Sequence, residues 1–140
     1  MMNNSKRMLI LDNKLVVYKN ASISLASCAM KYGASVFEGI RGYWNSDKQK
    51  MNIIFLKEHI SRLLASAKLM QMKHRYNVLD IQAAIVKLVI ANKIQDDCYI
   101  RCALSLAGEG TISCTEPVLL SIDAFPYGCL LYTSPSPRDS

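Results

Sequence analysis

The chain has 140 residues, enough for one domain with a substantial core, and it is 51% hydrophobic and 20% charged. This balance excludes a disordered chain, and no apolar run resembles a signal peptide or approaches a membrane span. The net charge of +6 is scattered, with no basic run longer than Lys6-Arg7, so no nucleic-acid groove is indicated. An anionic small ligand and a plain solvated basic surface both remain compatible with this charge.

The cysteines and histidines do not have the spacing of a metal site. No Cys-x-x-Cys pair occurs, and neither His59 nor His74 is placed as a zinc ligand would be. We therefore predict no metal and a reduced, cytoplasmic protein. The five cysteines are Cys28, Cys98, Cys102, Cys114 and Cys129.

The first elements along the chain are predicted to be strands. Met8–Leu11 and Leu15–Tyr18 are apolar runs joined by Asp12-Asn13-Lys14, which indicates a β-hairpin. A short helix is expected within residues 21–31, and a polar turn at residues 44–50 leads into a further strand, Met51–Leu56.

The stretch Tyr32–Tyr43 combines strand-forming residues with charges and glycines. A period of two places Phe37, Gly39, Arg41 and Tyr43 on one face of a strand. A flat, partly anionic ligand could lie on that face, with the glycine allowing close approach. The alternative is an ordinary edge strand with a solvated arginine and a bulge glycine.

The second half of the chain predicts two helices and two more strands. Helical periodicity covers Lys57–Met72, with a buried stripe, and Asn77–Asn92, with Asn77 as the N-cap. Strands are predicted at Cys98–Leu106 and Val118–Phe125, separated by a loop. The pattern predicts an α+β fold with a largely antiparallel sheet and two main helices. The predicted stripe of the first helix is Ile60, Leu63, Leu64, Ala67 and Met70.

Three arginines are candidates for binding anions. Arg41 and Arg101 lie on predicted strands beside aromatic residues, and Arg62 lies early in a helix, where the macrodipole disfavours a cation unless an anion faces it. A surface arginine is the alternative for Arg62. Guanidinium groups bind carboxylates and phosphates bidentately, so a site with several of them would suit an anionic ligand. Spacing alone does not show that the three converge, and the interpretation as one site depends on the expectation that the fold brings them around one pocket.

Three motifs follow one another along the chain: Tyr32-Gly-x-Ser-Val-Phe-Glu-Gly-Ile-Arg41-x-Tyr43, Phe55-x-x-Glu58-His59-x-x-Arg62-Leu63-x-x-Ser66-Ala67-Lys68 and Tyr99-Ile100-Arg101. In this order they resemble the N-terminal small domain of class IV (fold-type IV), pyridoxal-phosphate-dependent aminotransferases, and branched-chain amino-acid aminotransferases in particular. The resemblance covers roughly residues 8–128. It departs from the family pattern at Cys102, where proline is frequent, and in the Gly108-Glu109-Gly110 loop.

The resemblance implies roles for individual residues. Arg62 corresponds to the arginine that holds the phosphate of pyridoxal 5'-phosphate. Phe37 and Tyr32 correspond to substrate-pocket residues, and Tyr99 and Arg101 to residues that bind substrate carboxylates. Arg41 matches a supporting site position. The motif position of Glu38 has no assigned role, and Gly108–Ser113 resembles a segment that reaches the neighbouring active site in homodimers.

The resemblance also implies a catalytic lysine that is absent from this sequence. In the family, that lysine forms a Schiff base with the cofactor and lies in a second domain, and none of the eleven lysines here matches it. We expect residues 1–128 to be the small domain of an enzyme acting on leucine, isoleucine or valine and 2-oxoglutarate, a homodimer or larger homo-oligomer, with the fragment inactive alone. Residues 129–140 resemble a translated sequencing adapter, and a genuine flexible tail is the alternative.

Other functions remain open at this point. D-Amino-acid transaminases and aminodeoxychorismate lyases share the fold, and a non-catalytic basic α+β binding module is a third possibility. The Phe37-Glu38-Gly39-Ile40-Arg41 string fits the branched-chain members better. The expected ligands are amino acids and 2-oxo acids, without nucleic acid or membrane.

Overall fold

A computed structural model of the chain describes residues 6–126. One six-stranded antiparallel sheet, in the order β2-β1-β6-β5-β3-β4, carries two long helices. This confirms the predicted α+β class. The elements are β1 (Met8–Leu11), β2 (Lys14–Val17), α1 (Cys28–Tyr32), β3 (Ser35–Asn45), β4 (Lys50–Ile53), α2 (Leu56–Leu69), α3 (Val78–Ala91), β5 (Cys98–Leu106) and β6 (Val118–Pro126).

The first hairpin is tighter than predicted. Lys14 pairs with Leu11 and joins β2, so the turn contains only Asp12 and Asn13, with φ values of 54° and 63°. Asp and Asn tolerate this left-handed geometry, which matches the twist of paired strands. Tyr18, predicted to end the strand, begins a short 3-10 turn instead.

Helix α2 ends before the predicted limit. The chain reverses at Gln71, whose φ is 58°, and Met72 N–H donates to the carbonyl of Ala67 at 3.0 Å. The reversal leaves Met70 45% exposed and buries Met72 instead. Met70 was therefore wrongly placed in the buried stripe, although its other predicted members are buried or half-buried.

Helix α3 follows the prediction closely. The side chain of Asn77 accepts a hydrogen bond from Asp80 N–H at 2.9 Å, as an N-cap does. Ile81, Ile85 and Leu88 are fully buried against the sheet. The cap and the apolar stripe together explain why this segment is helical.

The sheet has one covered face and one open face. Helix α2 packs on β3, and α3 packs on β1 and β6. On that covered face Ile40, Ile100 and Ile122 are fully buried, whereas Phe37 and Arg101, on the open face, are exposed. The alternation predicted for β3 and β5 is therefore confirmed.

The described part of the chain does not test the proposed domain limit. The predicted boundary at residue 128 and the adapter-like segment 129–140 lie outside the described residues. No helix within residues 6–126 has the length and apolar character that crossing a membrane requires.

Candidate ligand-binding site

Strand register brings four predicted site residues together on the open face. Arg41 lies opposite Tyr99, and Gly39 lies opposite Arg101. Phe37, two residues before Gly39 on the same face, lies opposite Ala103. Cross-strand neighbours on one face lie about 5 Å apart, so these side chains form one continuous surface.

Arg101 and Phe37 form a cation–aromatic contact on that surface. The guanidinium carbon of Arg101 lies 4.4 Å from the centroid of the Phe37 ring, and Phe37 is 54% exposed. This contact stabilises one orientation of the guanidinium while leaving its edge accessible. The pair presents a cation and an apolar wall side by side.

Gly39 makes room for a side chain of the protein itself. A Cβ placed at Gly39 would lie 2.3 Å from the Tyr99 hydroxyl oxygen, so the Tyr99 ring occupies the space over the glycine. Gly39 therefore makes room for Tyr99, and not for a ligand as expected. The alternative of a bulge at this glycine is also wrong, because the pairing of β3 with β5 is continuous.

The same surface continues onto β6, which the sequence reasoning did not include. The rings of Tyr99 and Phe125 are 5.6 Å apart, and the Arg7 guanidinium lies 6.0 Å from the Phe125 ring. Arg7 also pairs with Asp123. The sequence could have indicated this extension of the surface, because Asp123 and Phe125 alternate with the buried Ile122 and so belong to the open face.

The covered face carries a second polar cluster, which we call the Glu38 cluster: Glu38, His59 and Arg62. Glu38 Oε1 accepts hydrogen bonds from Arg62 Nη2 at 2.7 Å and Nε at 3.0 Å, and His59 Nδ1 lies 2.8 Å from the same oxygen. The Glu38 side chain is 10% exposed and that of Arg62 is 68% exposed. The anion that faces Arg62 is thus Glu38, the motif residue to which no role was assigned.

These contacts set the charge of the cluster. Burial alone would raise the pKa of Glu38, but hydrogen bonds from Arg62 and His59 outweigh burial and lower it. The same hydrogen bond and the nearby negative charge raise the pKa of Arg62. Glu38 is therefore a carboxylate at neutral pH. The Glu38 carboxylate binds Nε and Nη2 of Arg62. The Nη1 edge of the planar guanidinium therefore points away from the carboxylate.

The expectation that three arginines surround one pocket is wrong for this domain by itself. Arg41 and Arg101 lie on the open face, whereas Arg62 reaches Glu38 on the covered face. The reason is the strand alternation, because Glu38 is one residue out of phase with Phe37 and Gly39.

The two faces meet at an edge of β3 that no described strand covers. Within residues 6–126, β4 pairs only with Gly42–Asn45, which leaves the outer edge of β3 unpaired from Ser35 to Ile40. A ligand at this edge could approach Arg62 from one side and the open face from the other.

Tyr32 stands apart from these groups. It closes α1, is 46% exposed, and has the Lys31 ammonium 5.4 Å from its ring. Gly33 follows in the left-handed conformation at φ 66° and turns the chain into β3. No described ring contact or hydrogen bond joins Tyr32 to Phe37 or Arg101.

The open face is a surface rather than an enclosed pocket. A groove of about 660 Å³ lies elsewhere, between α3 and β2, and its lining includes Leu79, Val86 and Ile90. The arrangement of Phe37, Arg101 and the Glu38 cluster therefore supplies recognition groups without enclosing a ligand, and enclosure requires a further surface.

Comparison with known proteins identifies the family. The model of the family "Amino-transferase class IV" matches residues 35–134, which include β3, the Glu38 cluster and β5. The chain belongs to the class IV aminotransferases. It is 33% identical over 129 residues to a probable branched-chain-amino-acid aminotransferase of Rickettsia typhi, covering 88% of this chain and 42% of that protein.

Solved structures give the same result. The branched-chain aminotransferase of Thermoproteus uzoniensis with norvaline aligns with a TM-score of 0.79 and 31% identity, over 86% of this chain and 40% of that one. The T.th. branched-chain enzyme complexed with N-(5'-phosphopyridoxyl)-L-glutamate aligns with a TM-score of 0.80 and 27% identity, over 91% and 42%. The chain thus spans less than half the length of these relatives.

Proposed function

We propose that this chain is the N-terminal, ligand-recognising domain of a pyridoxal-phosphate-dependent branched-chain aminotransferase. The reaction would transfer the amino group of leucine, isoleucine or valine to 2-oxoglutarate, forming glutamate. The observation that carries the proposal is the Arg101–Phe37 pair, a cation 4.4 Å from an exposed aromatic ring. A branched-chain amino acid offers the matching chemistry, namely a carboxylate beside an apolar side chain.

The proposal assigns substrate binding to the open face of β3 and cofactor-phosphate binding to Arg62 on the covered face. Arg101 binds a substrate carboxylate, Phe37 contacts the branched side chain, and Tyr99 is positioned beside both over Gly39. Arg41 and Tyr32 contribute to the substrate site from the supporting positions that the resemblance gives them. The ligands named for the two related structures, norvaline and a phosphopyridoxyl-glutamate, support this division.

Arg62 fits a phosphate group of the cofactor. Its guanidinium is exposed, yet two hydrogen bonds to the nearly buried Glu38 fix its plane, so it can meet an anion with little loss of rotamer freedom. The negative charge of Glu38 weakens the attraction for phosphate but fixes its direction. When bound, pyridoxal 5'-phosphate supplies an electron sink that the protein's own side chains lack.

The complete enzyme needs parts beyond these residues. We place the lysine that bonds the cofactor in a second domain of the longer protein, as the resemblance implies. A homodimer or larger homo-oligomer would enclose the open face. A cytoplasmic location is part of the same proposal.

The function is tested with the full-length protein that carries this domain. Arg101→Gln is expected to lower kcat/KM for leucine by about 100-fold, because a charged, bidentate contact to the carboxylate is lost. Arg75→Gln, a change at an exposed arginine away from the site, should leave kcat/KM unchanged. Equal activity of the two variants would contradict the assignment, and preferential turnover of D-amino acids would favour a D-amino-acid transaminase.

A further inference from the structure

The segment between β5 and β6 is fastened to α1 by hydrogen bonds rather than by strand pairing. Cys28 N–H donates to the carbonyl of Gly108 at 2.8 Å. Lys31 Nζ donates to the carbonyls of Gly110 at 3.0 Å and Glu109 at 3.4 Å. The first residues of α1 are therefore in contact with a segment about eighty positions later in the sequence.

Two thiols meet where α1 and this segment touch. Cys28 Sγ lies 3.4 Å from the carbonyl oxygen of Thr111, and Cys114 N–H donates to that same oxygen at 2.9 Å. The Cys114 thiol donates to the carbonyl of Glu116 at 3.1 Å, so both thiols are bound to backbone carbonyls of this segment. A Cβ at Gly108 would lie 2.9 Å from Cys114 Sγ, so glycine there leaves the space that this thiol occupies.

Cys114 differs from the other described cysteines because it is partly exposed. Cys98 and Cys102 are fully buried on the covered face of β5, where burial raises their pKa values to about 11 and about 12. Burial also raises the pKa of Cys28. Four residues along a strand correspond to about 13 Å, too far for a disulfide. Cys114 is partly exposed and Cys28 is buried behind it, so a reagent from solvent reaches Cys114 first.

We propose that Cys28 and Cys114 form a dithiol site that closes to a disulfide by exchange with a small-molecule disulfide such as oxidised glutathione. The Cys114 thiolate attacks one sulfur of the reagent and releases one thiol, leaving a mixed disulfide. The Cys28 thiolate then attacks the Cys114 sulfur and releases the second thiol. The two cysteines are oxidised, the reagent is reduced to two thiols, and the two cysteine protons end on those thiols.

Peptide mapping of the 140-residue chain tests the proposal. All samples carry Cys129→Ser, so that the cysteine outside the described residues cannot compete. After treatment with oxidised glutathione and alkylation of remaining thiols, cleavage after Lys, Arg and Glu places Cys28 in peptide 20–31. It places Cys114 in peptide 110–138, because Pro117 prevents cleavage after Glu116. The expected product is these two peptides joined, two hydrogen masses lighter than their sum.

Matched variants and a denatured control show whether the fold directs the reaction. Cys28→Ser and Cys114→Ser should each abolish the link between the two peptides, whereas Cys102→Ala should retain it. The oxidised chain should melt about 10 °C higher than the reduced chain. Cys114 left as a stable mixed disulfide with glutathione would overturn the proposal. Disulfide links to Cys98 or Cys102 would also overturn the proposal. So would an equal yield of the Cys28–Cys114 link in about 8 M urea, which unfolds small domains.

Discussion

At the scale of single residues, alternation along β3 predicted which side chains share a face but not what each one meets. Phe37 and Arg41 face outward as the sequence indicated, and Arg101 joins them through strand pairing. The contact of Glu38 with Arg62 could not be predicted, because it depends on how α2 is rotated over the sheet. The macrodipole argument for Arg62 does not hold in the structure, because Arg62 is the seventh residue of α2 and lies beyond the first turn.

Replacing Glu38 by glutamine tests the Glu38 cluster. Because folding lowers the pKa of Glu38, its stabilising effect is present above the unfolded value near pH 4.3 and is lost as pH falls through the folded value. We expect Glu38→Gln to lower the free energy of unfolding by about 1 kcal/mol at pH 7, since Arg62 is solvent-exposed. The difference from wild type should become smaller as the pH falls below about 4.3.

Urea unfolding followed between pH 3.5 and pH 8 measures this difference. Glu109→Gln, at an exposed residue outside the cluster, is the matched control and should change stability little at any pH. A Glu38→Gln effect that is as large in acid as at neutral pH would show that the carboxylate charge does not stabilise the fold.

Two glycines of β3 should respond differently to alanine. At Gly39 the new methyl group would meet the Tyr99 hydroxyl end, 2.3 Å away, and this half-buried ring can move toward solvent. At Gly42 it would meet Cys98 Sγ at 2.8 Å and Met51 Sδ at 2.9 Å in a packed region. We expect Gly42→Ala to cost about 1–3 kcal/mol of unfolding free energy and Gly39→Ala less.

The readout combines urea unfolding with NMR of the aromatic rings. Gly39→Ala should weaken the cross-peaks between the Tyr99 and Phe125 rings, whereas Gly42→Ala should retain them. The reverse order of destabilisation, or unchanged Tyr99 signals in Gly39→Ala, would contradict the packing described for the open face.

At the scale of elements, local patterns predicted where strands and helices lie better than where they end. The strand predicted to end at Leu56 ends at Ile53, and Leu56 begins α2. The bounds of β5 match the prediction because its apolar alternation is uninterrupted, and Asn77 caps α3 as expected. The end of α2 was missed because it depends on a positive φ at Gln71, a residue type that does not favour that conformation. Tertiary packing, and not the local sequence, determines where α2 ends, so the sequence gives only a weak indication of that position.

Tyr76, between α2 and α3, ties three elements together. Its hydroxyl donates to Asp12 at 2.8 Å and accepts from Leu120 N–H at 3.2 Å, and burial followed by the Asp12 contact raises its pKa to about 12. Removing this hydroxyl, as in Tyr76→Phe, should lower the unfolding free energy by about 1–3 kcal/mol at neutral pH.

The alkaline limb of the stability curve gives a second test of Tyr76. The unfolded chain loses the phenolic proton near pH 10 while the folded chain keeps it to about pH 12, so wild-type stability should fall between these values. Tyr76→Phe should fall less steeply over that interval. Tyr43→Phe, at an exposed tyrosine, serves as the control, and identical slopes in wild type and Tyr76→Phe would contradict the raised pKa.

At the scale of the whole molecule, the proposed function places the recognition groups in this domain and the cofactor-bonding lysine in a second one. By the resemblance, none of the lysines from Lys6 to Lys93 matches that lysine. We therefore expect the 140-residue chain, mixed with pyridoxal 5'-phosphate, leucine and 2-oxoglutarate, to form no glutamate above the rate without protein. A coupled glutamate assay checks this, and turnover comparable to that of a full-length branched-chain aminotransferase would refute the proposed division of labour.

Strand β3 separates the two groups of side chains, with Arg62 and Glu38 on the covered face and Arg101 on the open face. We expect substitutions on opposite faces of the strand to act nearly independently. Under the proposed function, a lineage that carries this domain could change which acids it accepts and still retain the coenzyme. One scaffold of this kind could diversify its substrates without first losing its chemistry.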